Sequence, residues 1–271
     1  MKRIFLIASL AFSNCFFSQV CLNKHLNAGY GEFTVGSGNG LCYGICKGDF
    51  NGDGKTDVAV TNDPGGGGTV SIMLGNGAGS LGGGTSYSVG SFPYAVINAD
   101  FNGDSKADLA VANNGSASIS VMLGNGFGGF GVSANFTVGT NPKSLVAADF
   151  NSDGKLDIAV ANAASNNISI LMGNGAGSFG AATNITVGTS PYFIVCSDFN
   201  GDSKQDLAVA NNGSNNITVL LGNGLGSFTS SLVTLFGTGT TSLWVADFNL
   251  DGKPDLVSNN QGSSINKQEK H

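Results

Sequence analysis

The chain has 271 residues, 43 of them glycine, with 41% apolar and only 11% charged residues and a formal net charge of −6. Glycine at roughly twice its usual ~7% share, beside ordinary apolar content, argues for many short strands joined by tight turns and against a disordered chain. The acidic balance supplies no basic footprint, so no nucleic-acid partner is expected.

Met1-Lys2-Arg3, followed by an apolar run over residues 4–12, reads as the start of a secretory signal peptide spanning 1–18. Cleavage after Ser13 or Ser18 then implies a secreted or cell-surface protein. The run falls short of the ~20 residues that span a bilayer, and no later segment is apolar enough, so no stable membrane span is expected. Residues 20–32 carry little information. Phe33-Thr34-Val35-Gly36 begins a strand pattern that returns as Tyr87-Ser88-Val89-Gly90, Phe136-Thr137-Val138-Gly139 and Ile185-Thr186-Val187-Gly188. The last three lead into Pro93, Pro142 and Pro191, where proline suits a strand entrance.

Each full repeat reads as four strands, predicted in the third repeat at 144–148, 156–161, 168–172 and 185–187. The second strands are apolar on both faces: Leu109 and Val111 point one way, Ala110 and Ala112 the other. Such a strand has to be covered on both sides. Four-stranded sheets repeated around an axis make a β-propeller. The expected fold class is therefore all-β, a propeller of about five repeats, four complete and one partial, over residues 33–266. The fifth repeat ends in a stub of a third strand at 263–266 and a polar tail at 267–271. Either residues 33–35 supply a missing outer strand and close the ring, or the chain is an arc of a larger propeller. Leu74-Gly75-Asn76-Gly77 and its copies from Gly124, Gly173 and Gly222 read as tight Asn-Gly turns. Trp244, at the place of Val146 and Val195, is expected in the core.

Between the first and second strands lies Asp49-Phe50-Asn51-Gly52-Asp53-Gly54-Lys55-Thr56-Asp57, with oxygen-bearing side chains at positions one, three, five and nine. The same set recurs as Asp100, Asn102, Asp104 and Asp108; Asp149, Asn151, Asp153 and Asp157; Asp198, Asn200, Asp202 and Asp206; and Asp247, Asn249, Asp251 and Asp255. The leading aspartates are 51, 49, 49 and 49 residues apart, a period that marks a repeat architecture. Of 18 acidic residues, only Glu32, Asp63 and Glu269 lie outside these positions, so the acid is gathered where a cation could sit. Carboxylates this close repel one another, and Ca²⁺, which takes six to eight oxygen ligands in flexible geometry, relieves that repulsion. The spacing matches the first half of an EF-hand loop, but Val60 stands where the twelfth-position Glu would be. Metal-free Asx turns are the alternative reading.

These residues are similar to the FG-GAP/VCBS repeat family, the repeat also found in the propeller of integrin alpha subunits. The match runs from about residue 33 to 260 and centres on Asp-Phe-Asn-Gly-Asp-Gly-Lys-x-Asp-Leu-Ala-Val. The resemblance implies a propeller, usually seven-bladed, with calcium in the loop between a blade's first two strands. It also implies the ligand set: the side chains at positions one, three, five and nine, and the position-seven carbonyls of Lys55, Lys106, Lys155, Lys204 and Lys253. Ser105, Ser152 and Ser203 replace loop glycines, which strains the backbone there.

Groups suited to catalysis are scarce. His25 and His271 lie outside the repeats, Arg3 is the only arginine, and Lys143 and Tyr192 read as solvated or packed. The expectation is a non-catalytic binding or adhesion module with structural calcium and an extracellular protein or glycan as partner. An extracellular polysaccharide-acting enzyme, or an accessory domain of one, is the alternative, as is a truncated scaffold fragment. Cys42 and Cys46 either pair or remain thiols.

Overall fold

The structure, a computed structural model, describes residues 41–65, 67–235, 239–260 and 266–268. The expected signal peptide, residues 33–35 and both histidines lie outside them. Every regular element among the described residues is a strand, and the strands fall into five antiparallel sheets. The first holds β1 (Leu41–Gly48), β2 (Asp57–Asp63), β3 (Thr69–Met73) and β4 (Thr85–Ser88). The second holds β5 (Pro93–Ala99), β6 (Asp108–Asn113), β7 (Ser118–Met122) and β8 (Ala134–Thr137). The third is β9 (Pro142–Ala148), β10 (Asp157–Asn162), β11 (Asn167–Leu171) and β12 (Thr183–Thr186). The fourth is β13 (Pro191–Ser197), β14 (Asp206–Asn211), β15 (Asn216–Gly222) and β16 (Phe228–Leu235). The last has β17 (Thr240–Ala246), β18 (Asp255–Asn260) and β19 (Asn266–Gln268).

Each sheet is a simple meander in which neighbours in sequence are neighbours in space. In the first four sheets this is the four-stranded blade the repeats predict. The first strands of successive blades pack side by side: β1 on β5, β5 on β9, β9 on β13 and β13 on β17. Pro93, Pro142 and Pro191 open their strands as expected, where no ladder donor is required. The third strand of the fifth sheet starts at Asn266, the last residue of the expected stub, pairs with Ser258 there, and runs on through Lys267 and Gln268.

The core lies between blades. All six residues of β6 are buried. Leu109 and Val111 pack with Phe50, Ala59, Val70 and Ile72 of the first blade, whereas Ala110 and Ala112 pack with Leu145, Ile158 and Val160 of the third. Large residues on one face and alanine on the other let neighbouring sheets approach and interleave, which dense packing requires. Fully burying each Leu, Ile or Val of these layers is worth about 1.5–3 kcal/mol.

Two expectations need correction. Trp244 pairs with Val257 just as Val146 pairs with Ala159, so the alignment is right, but the indole is 69% exposed. Val146 is covered by Ile194, Leu207 and Val209 of the following blade; among the described residues no sheet follows β19 to cover Trp244. Cys42 and Cys46 neither pair with each other nor both remain thiols: Cys46 is a free, half-buried thiol, whereas Cys42 is disulfide-bonded.

Candidate metal loops and an axial pocket

Each acidic loop connects a blade's first strand to its second and is folded by its own side chains. In the first loop Asp49 Oδ1 accepts the N–H groups of Gly52 (2.8 Å) and Asp53 (3.2 Å), and Oδ2 accepts that of Gly54 (2.8 Å). The Asp53 N–H is shared with Asn51 Oδ1 at 3.0 Å, which brings the first- and third-position oxygens together. The same shared N–H recurs at Asp104 with Asp100 and Asn102, at Asp153 with Asp149 and Asn151, at Asp202 with Asp198 and Asn200, and at Asp251 with Asp247 and Asn249. Winding a loop this tightly needs left-handed backbone at positions four and six. Glycine supplies it at Gly52 and Gly54, but Ser105 (φ 62°), Ser152 (60°), Ser203 (64°) and Leu250 (62°) are driven into the same region. The three serines are the strained sites expected from the sequence; Leu250, the most costly, was not singled out.

Position five faces outward. The Asp53, Asp104, Asp153 and Asp202 carboxylates take the ammonium of their loop's lysine at 3.1, 3.1, 3.5 and 3.3 Å. The Lys55 N–H and then its ammonium hold the Asp53 carboxyl below the ordinary range. In the fifth loop the Lys253 N–H still donates to Asp251 Oδ1 at 2.8 Å. Position nine faces inward. Asp57, Asp108, Asp157 and Asp206 are wholly buried, and each bridges two backbone N–H groups. Asp157 Oδ2 takes that of Phe150 at 2.9 Å and Oδ1 that of Gly173 at 2.8 Å; Asp57, Asp108 and Asp206 repeat the bridge. Asp255 keeps the first half, accepting from Phe248. Burial pushes the Asp108, Asp157 and Asp206 carboxyls up, the two N–H groups pull them back, and the carboxylates at positions five and one raise them again. The turn must come very close to be bridged: a Cβ at Gly173 would lie 2.1 Å from the Leu156 carbonyl oxygen.

The loop also reaches the next blade. The carbonyl of Phe50, at position two, accepts the Gly128 N–H at 2.8 Å, and Phe101 and Phe150 likewise accept from Gly177 and Gly226. Their rings are buried and meet Phe130, Phe179 and Phe228 edge-on at 5.5–5.6 Å. Each such loop therefore joins three parts: its own second strand, the turn after its own third strand, and the following blade.

The donor set suits a hard cation. Three carboxylates, one amide oxygen and one carbonyl per loop are all oxygen donors, the type Ca²⁺ selects, with room left for water in a shell of six to eight. Carboxylate oxygens already holding an N–H keep acceptor capacity. Among the described residues no three acidic side chains converge on one point, because position five turns out to its lysine and position nine turns in to the amides.

A second constellation was not assembled from the sequence. In every blade's first strand a β-bulge precedes the regular pairing, between Cys42 and Ile45, Pro93 and Ala95, Pro142 and Ser144, Pro191 and Phe193, and Thr240 and Ser242. The extra residues, Tyr43, Tyr94, Lys143, Tyr192 and Thr241, all line one axial cavity of about 220 Å³. Re-aiming a side chain in this way is a recurrent use of bulges. Tyr43 stacks on Tyr94 with centroids 5.1 Å apart, and Tyr94 meets Tyr192 edge-on at 6.1 Å and shares a hydroxyl hydrogen bond with it. The Lys143 ammonium lies 3.9 Å from the Tyr94 ring centre and 5.5 Å from that of Tyr192. The signal in the sequence was the 49-residue spacing of Tyr94, Lys143 and Tyr192.

A model of the FG-GAP-like repeat matches residues 49–110, 100–160, 149–197 and 198–258. No curated protein matches the chain. Among solved structures it is similar to BBS1N in complex with ARL6DN, with a TM-score of 0.60 at 14% identity, covering 88% of this chain and 67% of that one. It is also similar to a putative 6-phosphogluconolactonase from Bacteroides uniformis, with a TM-score of 0.58 at 13% identity over 83% of this chain and 69% of that one. Virginiamycin B lyase from Staphylococcus aureus gives a TM-score of 0.56 at 17% identity over 84% and 66%. Likeness at this identity carries the fold alone.

Proposed function

Because the chain belongs to the FG-GAP-like repeat family, we propose that it is an exported, calcium-binding β-propeller acting as a non-catalytic binding or adhesion module. Its ligands for Ca²⁺ are the loop residues from Asp49 to Asp57 and their four copies, and its partner is an extracellular protein or glycan. The carrying observation is the position of the loops at the joints between strands and between blades. A cation held there adds to the cohesion of the array.

At a dissociation constant of about 10⁻⁴–10⁻³ M, typical of extracellular modules, ~1 mM free calcium stabilises the fold by roughly 0.4–1.4 kcal/mol per site. Five sites give about 2–7 kcal/mol, the scale of a whole domain's net stability. The reading of the first 18 residues as a signal peptide supports export. A glycan and protein binding array, probed with calcium and with a chelator, tests the binding role. A reproducible hit that weakens in chelator is the expected result. Turnover of a polysaccharide by the purified protein would overturn it in favour of the enzyme alternative.

A further inference from the structure

Lys143 is a cation drawn partly out of water without meeting an anion. The lysines of four acidic loops are ion-paired; among the described residues Lys143 makes no ion pair, and its neighbours are the Tyr94 and Tyr192 rings. Burial pushes its ammonium toward the neutral form. Contact with an aromatic face returns only part of what such a cation loses in leaving water. The rings also leave N–H donors of the ammonium without acceptors.

Among the described residues, no acid lines the cavity to complete it. Asp63, outside the cavity lining, is near enough for its charge to act on the Tyr43 hydroxyl, and it accepts the N–H of Gly65. The acidic loops lie at the far end of the first strands. Lys143 is the second residue of β9 and Asp149 follows its last, a separation of roughly 20 Å at ~3.3 Å per residue, about twice the screening length. What the cavity does offer is donors and apolar walls. Asn259 Oδ1 accepts from the Thr241 hydroxyl at 2.9 Å and the Ser242 N–H at 2.8 Å, which leaves its NH₂ group as a further donor. Phe193 and Leu145 line the cavity beside the tyrosines.

Donors without a matching anion, set among aromatic walls in a small cavity, are complementary to one chemical class. We propose that the axial pocket binds a small ring-bearing carboxylate, with the carboxylate on Lys143 and the ring against the tyrosines. The proposal rests on the binding-module reading and refines it, while using none of the calcium loops. At about 220 Å³ the cavity is below the ~300 Å³ at which drug-sized pockets begin, so the ligand is on the scale of a monosaccharide acid or an aromatic acid.

The test is an NMR titration of the full chain carrying ring-labelled tyrosine, with glucuronate and benzoate as probes and glucose and benzyl alcohol as their neutral counterparts. The proposal expects saturable shifts at Tyr43, Tyr94 and Tyr192 from at least one carboxylate, little from its neutral counterpart, and none at Tyr87. Which carboxylate binds reports the polarity of the ring. Lys143→Met should weaken binding at least tenfold, Lys143→Arg should retain it, and Lys47→Met, at an exposed position of β1 outside the cavity lining, should leave it unchanged. An unmoved Tyr87 resonance confirms that the variants fold. Absence of any carboxylate response, equal binding of the neutral counterpart, or unchanged affinity in Lys143→Met would each overturn the pocket. An array hit that persists in Lys143→Met beside a silent titration sinks the pocket and leaves the binding module standing. A positive titration with an empty array does the reverse.

Discussion

Asp157→Asn separates the two roles open to a ninth-position aspartate. The carboxylate is fully buried and accepts one N–H on each oxygen, from Phe150 at 2.9 Å and Gly173 at 2.8 Å. Asparagine keeps one acceptor and turns an NH₂ donor toward the other N–H, so one charge-assisted bond is lost and a buried donor is left unsatisfied. Such a loss costs about 1.5–3 kcal/mol, with up to ~3 more for the orphaned group. Relief of the repulsion from Asp153 and Asp149 and of the buried charge offsets part of this, leaving roughly 2–3 kcal/mol. At ~2–4 °C per kcal/mol for a chain of this size, thermal unfolding followed by circular dichroism should fall by roughly 5–10 °C. The drop should persist in excess chelator, since the bridge involves no metal. Asp153→Asn, at an exposed position, should leave the midpoint in chelator nearly where it is in the parent. If Asp157→Asn matches the parent in chelator, the bridge carries no stability and the reasoning is wrong.

Three further outcomes follow from the same geometry. Leu250→Gly should raise stability by about 0.5–1 kcal/mol, because a left-handed non-glycine residue costs ~1–2 kcal/mol and part of the gain is lost to glycine's freedom in the unfolded chain; urea unfolding reads this. Lys106→Met removes a positive charge 3.1 Å from Asp104 Oδ2, one that competes with a cation for the same carboxylate. Calcium affinity at that loop, followed by the amide signals of residues 100–108, should therefore rise. Burial pushes the Cys46 thiol up to about 12, which leaves on the order of one thiolate in 10⁴ at pH 8. A thiol reagent at that pH should thus label Cys46 only when the protein is unfolded.

Much of this was readable in the sequence because it is written in short-range chemistry repeated at a fixed period. Glycine and Asx residues must turn, and a run such as Leu109–Ala112 that is apolar on both faces must be covered twice. The inward turn of the ninth aspartate was hidden, since its partners at Phe150 and Gly173 are backbone N–H groups, which no residue type announces. The axial cluster was hidden for another reason: Tyr94, Lys143 and Tyr192 are separated by a full repeat and meet only because a bulge in each first strand turns them to a common axis. Trp244 misled because a repeat position predicts burial only where a further blade lies against it.

The central claim is that the acidic loops hold calcium and that calcium holds the blades together. Titration calorimetry on chelator-stripped protein, paired with thermal unfolding of the same sample, tests it most directly. Uptake approaching five equivalents with millimolar to submillimolar affinity, and a midpoint raised by roughly 5–20 °C at ~1 mM calcium, is what mass action predicts. No measurable uptake, or an unfolding midpoint indifferent to calcium and chelator, would contradict it.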